Sequence, residues 1–243
     1  MRSPVIHISA LCKHFGNNVV LDGFDLDVFP QENVVVLGKS GSGKSVLIKC
    51  IIGLLKPDSG TLQVFGKDIV EISEEELDKL RVKIGFLFQG NALYDSMTVR
   101  ENLEFPLRHH LSRYDQKEVD EIVNDVLENV GLAHTTEMMP SELSGGMLKR
   151  IALARTLILK PEIILYDEPT TGLDPVTARE IDHLIMQLQK KYNTASIIIT
   201  HDMNCVKNTA HRVALLLNGK CYSVGSYADF EKNKDPNIHQ FFD

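Results

Sequence analysis

Apolar and polar positions alternate, or nearly so, over residues 5–13 and again over 24–29. In the second stretch Phe24, Leu26 and Val28 face one way and Asp25 and Asp27 the other, the pattern of a half-buried antiparallel strand. Asn17-Asn18, between Phe15 and the apolar Val19-Val20-Leu21, predicts a hairpin turn. The unbroken apolar run at 34–37 predicts a strand covered on both faces, and residues 46–55, apolar nearly all round, a buried helix. Pro57-Asp58-Ser59-Gly60 marks a turn before a strand at 61–65, and a charged helix over 73–81 precedes a strand that Gln89 ends.

The character changes between about residues 91 and 142, where no strand pattern occurs. Val119, Ile122, Val123, Val126, Leu127 and Val130 recur at helical spacing and predict an amphipathic helix. Strands then resume at 163–166 and 196–200, with a helix over 175–191 between them, and Asn218-Gly219 predicts a closing hairpin between 213–217 and 220–224. Apolar strands joined by helices imply an α/β fold with a central, mainly parallel sheet. The expected organisation is a single domain: a catalytic core with an antiparallel β subdomain (1–90 and 160–225), a helical insert (91–159) and a polar tail (226–243) in which Phe230, Phe241 and Phe242 are docking residues.

Composition narrows the class. A net charge of −7 gives no electrostatic case for binding nucleic acid. No apolar run approaches the ~18 residues that span a bilayer, and the first residues carry no apolar signal core. A soluble, cytosolic chain is the expectation. Cys12, Cys50, Cys205 and Cys221 are scattered and are expected to be reduced and structural. His109-His110 suits a solvated loop pair rather than a zinc site.

The chemistry begins at Gly38-Lys39-Ser40-Gly41-Ser42-Gly43-Lys44-Ser45, followed by Val46, between a predicted strand and a predicted helix. That context identifies a phosphate-binding loop. Its glycines let successive N–H groups converge on phosphate oxygens, the helix N-terminus adds partial positive charge, Lys44 reaches the β- and γ-phosphates, and Ser45 ligates Mg2+. Asp167 and Glu168 close the strand at 163–166, where open parallel sheets bind ligands. Asp167 suits a Mg2+ shell through water, and Glu168 suits a general base toward the attacking water; a capping or surface acid pair has the same local pattern. Gln89 suits a Mg2+ or water sensor, or is an ordinary strand-end glutamine. His201 suits a donor to a γ-phosphate, or a cap of the next helix. Asp174, before Pro175, is an N-cap. Leu143-Ser144-Gly145-Gly146-Met147 opens a helix despite two glycines that cost about 1 kcal/mol each in a helix interior, which points to backbone N–H groups approaching a phosphate.

These motifs, in this order, make the chain resemble the ATP-binding cassette (ABC) nucleotide-binding domains over nearly its whole length. The resemblance implies a Walker A loop (Gly38 to Ser45), Q-loop (Gln89), signature (Leu143 to Met147), Walker B strand (to Glu168), D-loop (Thr171-Gly172-Leu173-Asp174) and switch histidine (His201), with Phe15 stacking on adenine. It implies ATP and Mg2+ as ligands and a head-to-tail homodimer. In that dimer Ser144, Gly145, Gly146 and Met147 act in trans on the partner's ATP, and Asp174 couples the two sites.

Met147, where the family usually has glutamine, is similar to the Mla-type phospholipid-trafficking branch, as are the stretches 87–102 and 103–108. That likeness implies a transmembrane permease, an MCE-type lipid-binding partner, and a place on the cytoplasmic face of the inner membrane. Ala92, Leu93, Tyr94 and Met97 then either line a groove for the permease or form core of the helical insert. Roughly fifty residues between Gln89 and Leu143 leave no room for the coiled coil of chromosome-maintenance relatives. An iron–sulfur assembly ATPase and another small-molecule transporter ATPase stand as alternatives.

Overall fold

The computed structural model describes residues 3–108 and 115–242; the His109-His110 pair lies outside the described residues. Strands β1 (Ile6–Phe15) and β2 (Asn18–Val28) form the opening hairpin. Its turn falls on Gly16-Asn17, one residue earlier than predicted, because Gly16 supplies the left-handed φ of +58°. β2 runs through both apolar stretches of this region, with a register shift between Leu21 and Phe24 at Gly23.

β3 (Asn33–Leu37) is buried at every position and leads through the glycine-rich loop into α1 (Lys44–Ile51). The helix starts two residues before the predicted 46 and stops four before the predicted 55. Gly53 takes a φ of +69°, and the N–H groups of Leu54 and Leu55 turn back onto the Lys49 carbonyl, a C-terminal capping geometry that apolar periodicity cannot locate. There follow β4 (Ser59–Val64), β5 (Lys67–Asp68), α2 (Glu74–Arg81) and β6 (Ile84–Leu87). β6 ends two residues before Gln89, which therefore lies in the following loop.

Among the described residues the next segment holds the α-helices α3 (Val99–Glu104), α4 (Gln116–Asn129) and α5 (Gly145–Leu157). α4 buries the predicted stripe through Val119, Val123, Val126 and Leu127, and its N-terminus is fixed by a capping box of Asp115 and Glu118. β7 (Ile163–Asp167), α6 (Pro175–Tyr192), β8 (Ala195–Thr200), α7 (Met203–Thr209), β9 (Arg212–Leu217) and β10 (Lys220–Gly225) complete the α/β part. The hairpin β9–β10 turns on Asn218 and Gly219, both at positive φ. α8 (Tyr227–Glu231) and α9 (Pro236–His239) close the chain.

The main sheet has the order β10-β9-β3-β8-β7-β6; it is parallel except for the antiparallel edge strand β10. A second, antiparallel sheet runs β2-β1-β4-β5. This is the α/β architecture that the hydrophobic pattern predicts. Successive residues of the central strands feed opposite cores. Val35, Leu37, Ile164, Tyr166 and Ile198 pack with the side chains of α4, α5 and α6. Val34, Val36, Ile163, Leu165 and Ile197 pack with α1 and the antiparallel sheet. The tail docks on its own chain: Phe230 and Ile238 are buried, Phe241 and Phe242 pack against the same core, and Tyr227 meets Phe242 at 5.7 Å between ring centroids. The segments that follow β3, β6, β7 and β8 all leave the same end of the parallel sheet, the end where such sheets bind ligands.

Candidate active site

The loop after β3 lies against β2. A Cβ on Gly43 (φ +104°) would meet Val20 Cγ1 at 2.8 Å and the Val20 carbonyl at 3.0 Å, whereas one on Gly41 (φ +78°) would meet nothing within 4 Å. Gly43 thus lets the loop close on the scaffold. Lys44 opens α1 and turns its ammonium back into the loop, donating to the carbonyls of Gly38 at 2.7 Å and Lys39 at 3.1 Å, with Glu168 Oε1 at 3.5 Å. Burial pushes the Lys44 pKa down, opposed by the Glu168 carboxylate. Ser45 donates its hydroxyl to Asp167 Oδ1 at 3.3 Å. Asp167 ends β7 in a buried position, and burial raises its pKa against the Ser45 hydrogen bond.

Glu168 is the next residue, with a left-handed φ of +49°. For a residue with a side chain this costs on the order of 1–3 kcal/mol, a strain that concentrates at functional sites. Its N–H still bonds the Ile199 carbonyl at 2.9 Å, so the strand pairing reaches the strained residue. Its carboxylate accepts from Thr171 Oγ1 and Thr200 Oγ1, each at 3.3 Å, and lies 3.0 Å from His201 Nδ1. The two threonines are not visible as partners in the sequence; Thr200 reaches Glu168 because β8 is the neighbour of β7.

A cavity of about 350 Å³ gathers Phe15, Ser40, Gly41, Gly43, Lys44, Ser45, Val46, Gln89, Glu168 and His201, together with Val20. Lys39 and Ser42 line an adjoining depression toward the β9–β10 turn. Phe15 is half exposed at the end of β1, with the Lys13 ammonium 5.4 Å from its ring centroid. A larger cavity of about 540 Å³, lined in part by Gln31, His183 and His211, contains no phosphate loop and no strand-end acid. The hard oxygens of Ser45 and Asp167 fit Mg2+.

Ser144, Gly145, Gly146, Met147 and Asp174 do not line the cavity. Ser144 caps α5, its hydroxyl accepting from the Met147 N–H at 3.3 Å. Asp174 caps α6, accepting from the Thr177 hydroxyl at 2.5 Å and from the N–H groups of Val176 and Thr177 at 2.9 and 3.1 Å. The Thr177 hydroxyl, ahead of the backbone donors, holds the Asp174 carboxyl below the usual range. A Cβ on Gly146 would meet Thr177 Cγ2 at 2.7 Å. Close packing of α5 on the start of α6 therefore also demands that glycine, a reason the sequence does not show. Lys149, 2 % exposed, and Arg155 also escaped the sequence reading; both reach from α5 to the backbone after β6.

Residues 21–171 match the family model described as ABC transporter. The chain belongs to the ABC transporter family; it is an ATP-binding subunit of that family and an ATPase. It is 38% identical over 236 residues to a probable ribonucleotide transport ATP-binding protein, mkl, of Mycobacterium leprae, covering 97% of this chain and 68% of that one. It is 36% identical to the methionine import ATP-binding protein MetN of Clostridium tetani, covering 93% and 70%. It is 35% identical over 241 residues to the intermembrane phospholipid transport system ATP-binding protein MlaF of Haemophilus influenzae, covering 99% and 91%. Among solved structures, cbiO1 from Clostridium perfringens, part of the ABC transporter complex cbiONQ, superposes with a TM-score of 0.87 at 28% identity over 96% of this chain and 92% of its own. The ATP-binding cassette MJ0796, in a dimeric post-hydrolysis state bound to ADP and Pi, gives 0.81 at 30% identity over 91% and 98%. Among the described residues no helix is long and apolar enough to cross a membrane.

Proposed function

We propose that this subunit powers phospholipid trafficking between membranes, working as a head-to-tail homodimer on a separate transmembrane permease with an MCE-type lipid-binding partner, at the cytoplasmic face of the inner membrane. The observation that carries the catalytic part is the convergence of Lys44, Ser45, Gln89, Glu168 and His201 on one cavity. Residues 1–90 and 160–225 act as the catalytic core, 91–159 as the signature-bearing helical subdomain and 226–243 as a tail.

Adenine stacks on Phe15, and the backbone of Gly38 to Ser45 cradles the phosphates. Lys44 exchanges the Gly38 and Lys39 carbonyls for phosphate oxygens. Ser45, Gln89 and, through water, Asp167 would hold Mg2+, which would supply neutralisation of the phosphate charge. Glu168 takes the proton of the attacking water, held in place by Thr171 and Thr200. His201, half exposed beside Glu168, turns to the γ-phosphate. Ser144, Gly145, Gly146 and Met147, outside their own chain's cavity, meet the ATP of the partner, and Asp174 joins the two sites.

The phospholipid assignment is supported by the likeness to MlaF over nearly the full length of both chains and by Met147 in the signature. The names of mkl and MetN favour a second reading, an ATPase for another small solute. Reconstituting the chain with its co-purified membrane partner in phospholipid bilayers separates them. Addition of phospholipid to the detergent-stripped complex stimulates ATP hydrolysis under the first reading; indifference to every phospholipid, with stimulation by a nucleotide or amino acid, establishes the second.

A further inference from the structure

The helix that begins at Ser144-Gly145-Gly146 reaches the loop after β6 at successive points. Lys149 is buried, and its Nζ donates to the Gln89 carbonyl at 3.1 Å. Arg155, farther along the same helix, donates to the carbonyls of Ala92 at 2.8 Å and Asn91 at 3.1 Å. Asn91 and Ala92 both sit at left-handed φ, +61° and +55°. Alanine gains nothing from that conformation, so the loop is held in a shape its own sequence does not favour. A buried ammonium is costly in a position that an apolar side chain of similar length would fill. Its contact with a loop carbonyl gives the charge a use.

We infer that α5 is a strut that makes the loop carrying Gln89 follow the signature, with Lys149 as the positioning residue for Gln89 and Arg155 fixing the turn beyond it. Gln89 lines the cavity of Lys44 while its carbonyl accepts from Lys149 of α5. A shift of the α5 N-terminus, caused by nucleotide on the partner, is carried along the helix to the metal-sensing amide. The inference rests on the proposed roles of the signature and Gln89 and adds the side chains that join them. Coupling of this kind travels through contiguous packed and hydrogen-bonded groups, and here the chain of contacts is Ser144, α5, Lys149, Gln89.

Lys149→Met, one atom shorter than lysine and of the same reach as glutamine, removes the donor. Expected are an amide hydrogen exchange rate over residues 88–92 raised at least about threefold and a Mg2+ concentration for half-maximal ATPase raised about fivefold or more, as for loss of one buried hydrogen bond. Magnesium-free ATP binding stays at the wild-type level. Lys149→Gln, one bond shorter but still an N–H donor, recovers at least half of both changes. Unchanged exchange over 88–92, an unchanged Mg2+ dependence, or a Gln variant no better than Met overturns the inference. Should Lys149→Met fail to fold, Arg155→Lys, which loses the two-pronged donor, must raise exchange at 91–92, and no rise there also overturns it. Lys44→Ala tests the underlying site separately: wild-type ATP binding in that variant refutes the phosphate-loop reading without touching the exchange data.

Discussion

Glu168 combines a strained backbone with a fully engaged carboxylate. Its φ of +49° aims the side chain between Thr171, Thr200 and His201 rather than along the strand direction. Glu168→Gln keeps the shape and removes the base. Steady-state turnover is expected to fall by roughly 10²–10⁴, with ATP binding retained because the phosphate loop is untouched; near-normal turnover removes Glu168 as the base. Cys50, fully buried in α1, gives a second residue-scale prediction. Burial pushes its thiol up to about 11 from an ordinary value of 9.0. Above pH 9 the unfolded chain loses this proton while the folded one keeps it, so its stabilisation is complete below about pH 9 and is lost as pH rises toward 11. Urea unfolding of the wild type against Cys50→Ala should show the stability difference shrinking across that window, by at most about 1.4 kcal/mol per pH unit. A difference that stays flat contradicts the shift. Lys44 and the Asp167-Glu168 pair were legible as motifs, because contiguous residues make them. The threonines around Glu168 were not, because strand pairing, not sequence proximity, brings Thr200 there.

At the scale of elements, alternation and helical spacing located the strands and helices, and backbone conformation decided where they end. Gly16 moved the first turn by one residue, and Gly53 ended α1 early. The same reasoning separates two glycines that look alike in the sequence. Gly60 (φ +93°) sits at the start of β4 where a Cβ would lie 2.3 Å from the Ala10 carbonyl oxygen, whereas a Cβ on Gly16 meets nothing within 4 Å. Gly60→Ala is expected to lose more than about 3 kcal/mol in denaturant unfolding, a value typical of forced backbone clashes. Gly16→Ala should lose only the left-handed penalty of about 1–2 kcal/mol. Equal losses for the two would contradict the close approach of β1 and β4 at Gly60. Gly146 also packs closely, a Cβ there meeting the Thr177 methyl on α6, a contact that the sequence does not show beside the phosphate approach its glycines suggest.

For the whole molecule, two cores on opposite faces of one parallel sheet fix the ends of β3, β6, β7 and β8 around a single cavity. The fold was legible because buried parallel strands leave unbroken apolar runs, and the order of the motifs added the family. The relation between the signature and the cavity was not legible from spacing. Ser144 and its glycines cap a helix outside their own chain's site, and only the family resemblance supplied a partner for them. The central claim is that each ATP is held by Lys44 of one chain and Ser144 of another. Mixing Lys44→Ala with Ser144→Arg, each inactive alone, tests it most directly. In a head-to-tail dimer the mixed pair has one site with both parts intact, so ATPase should return to about a quarter of the wild-type rate when pairing is random. A mixture that remains as inactive as its two components contradicts the account.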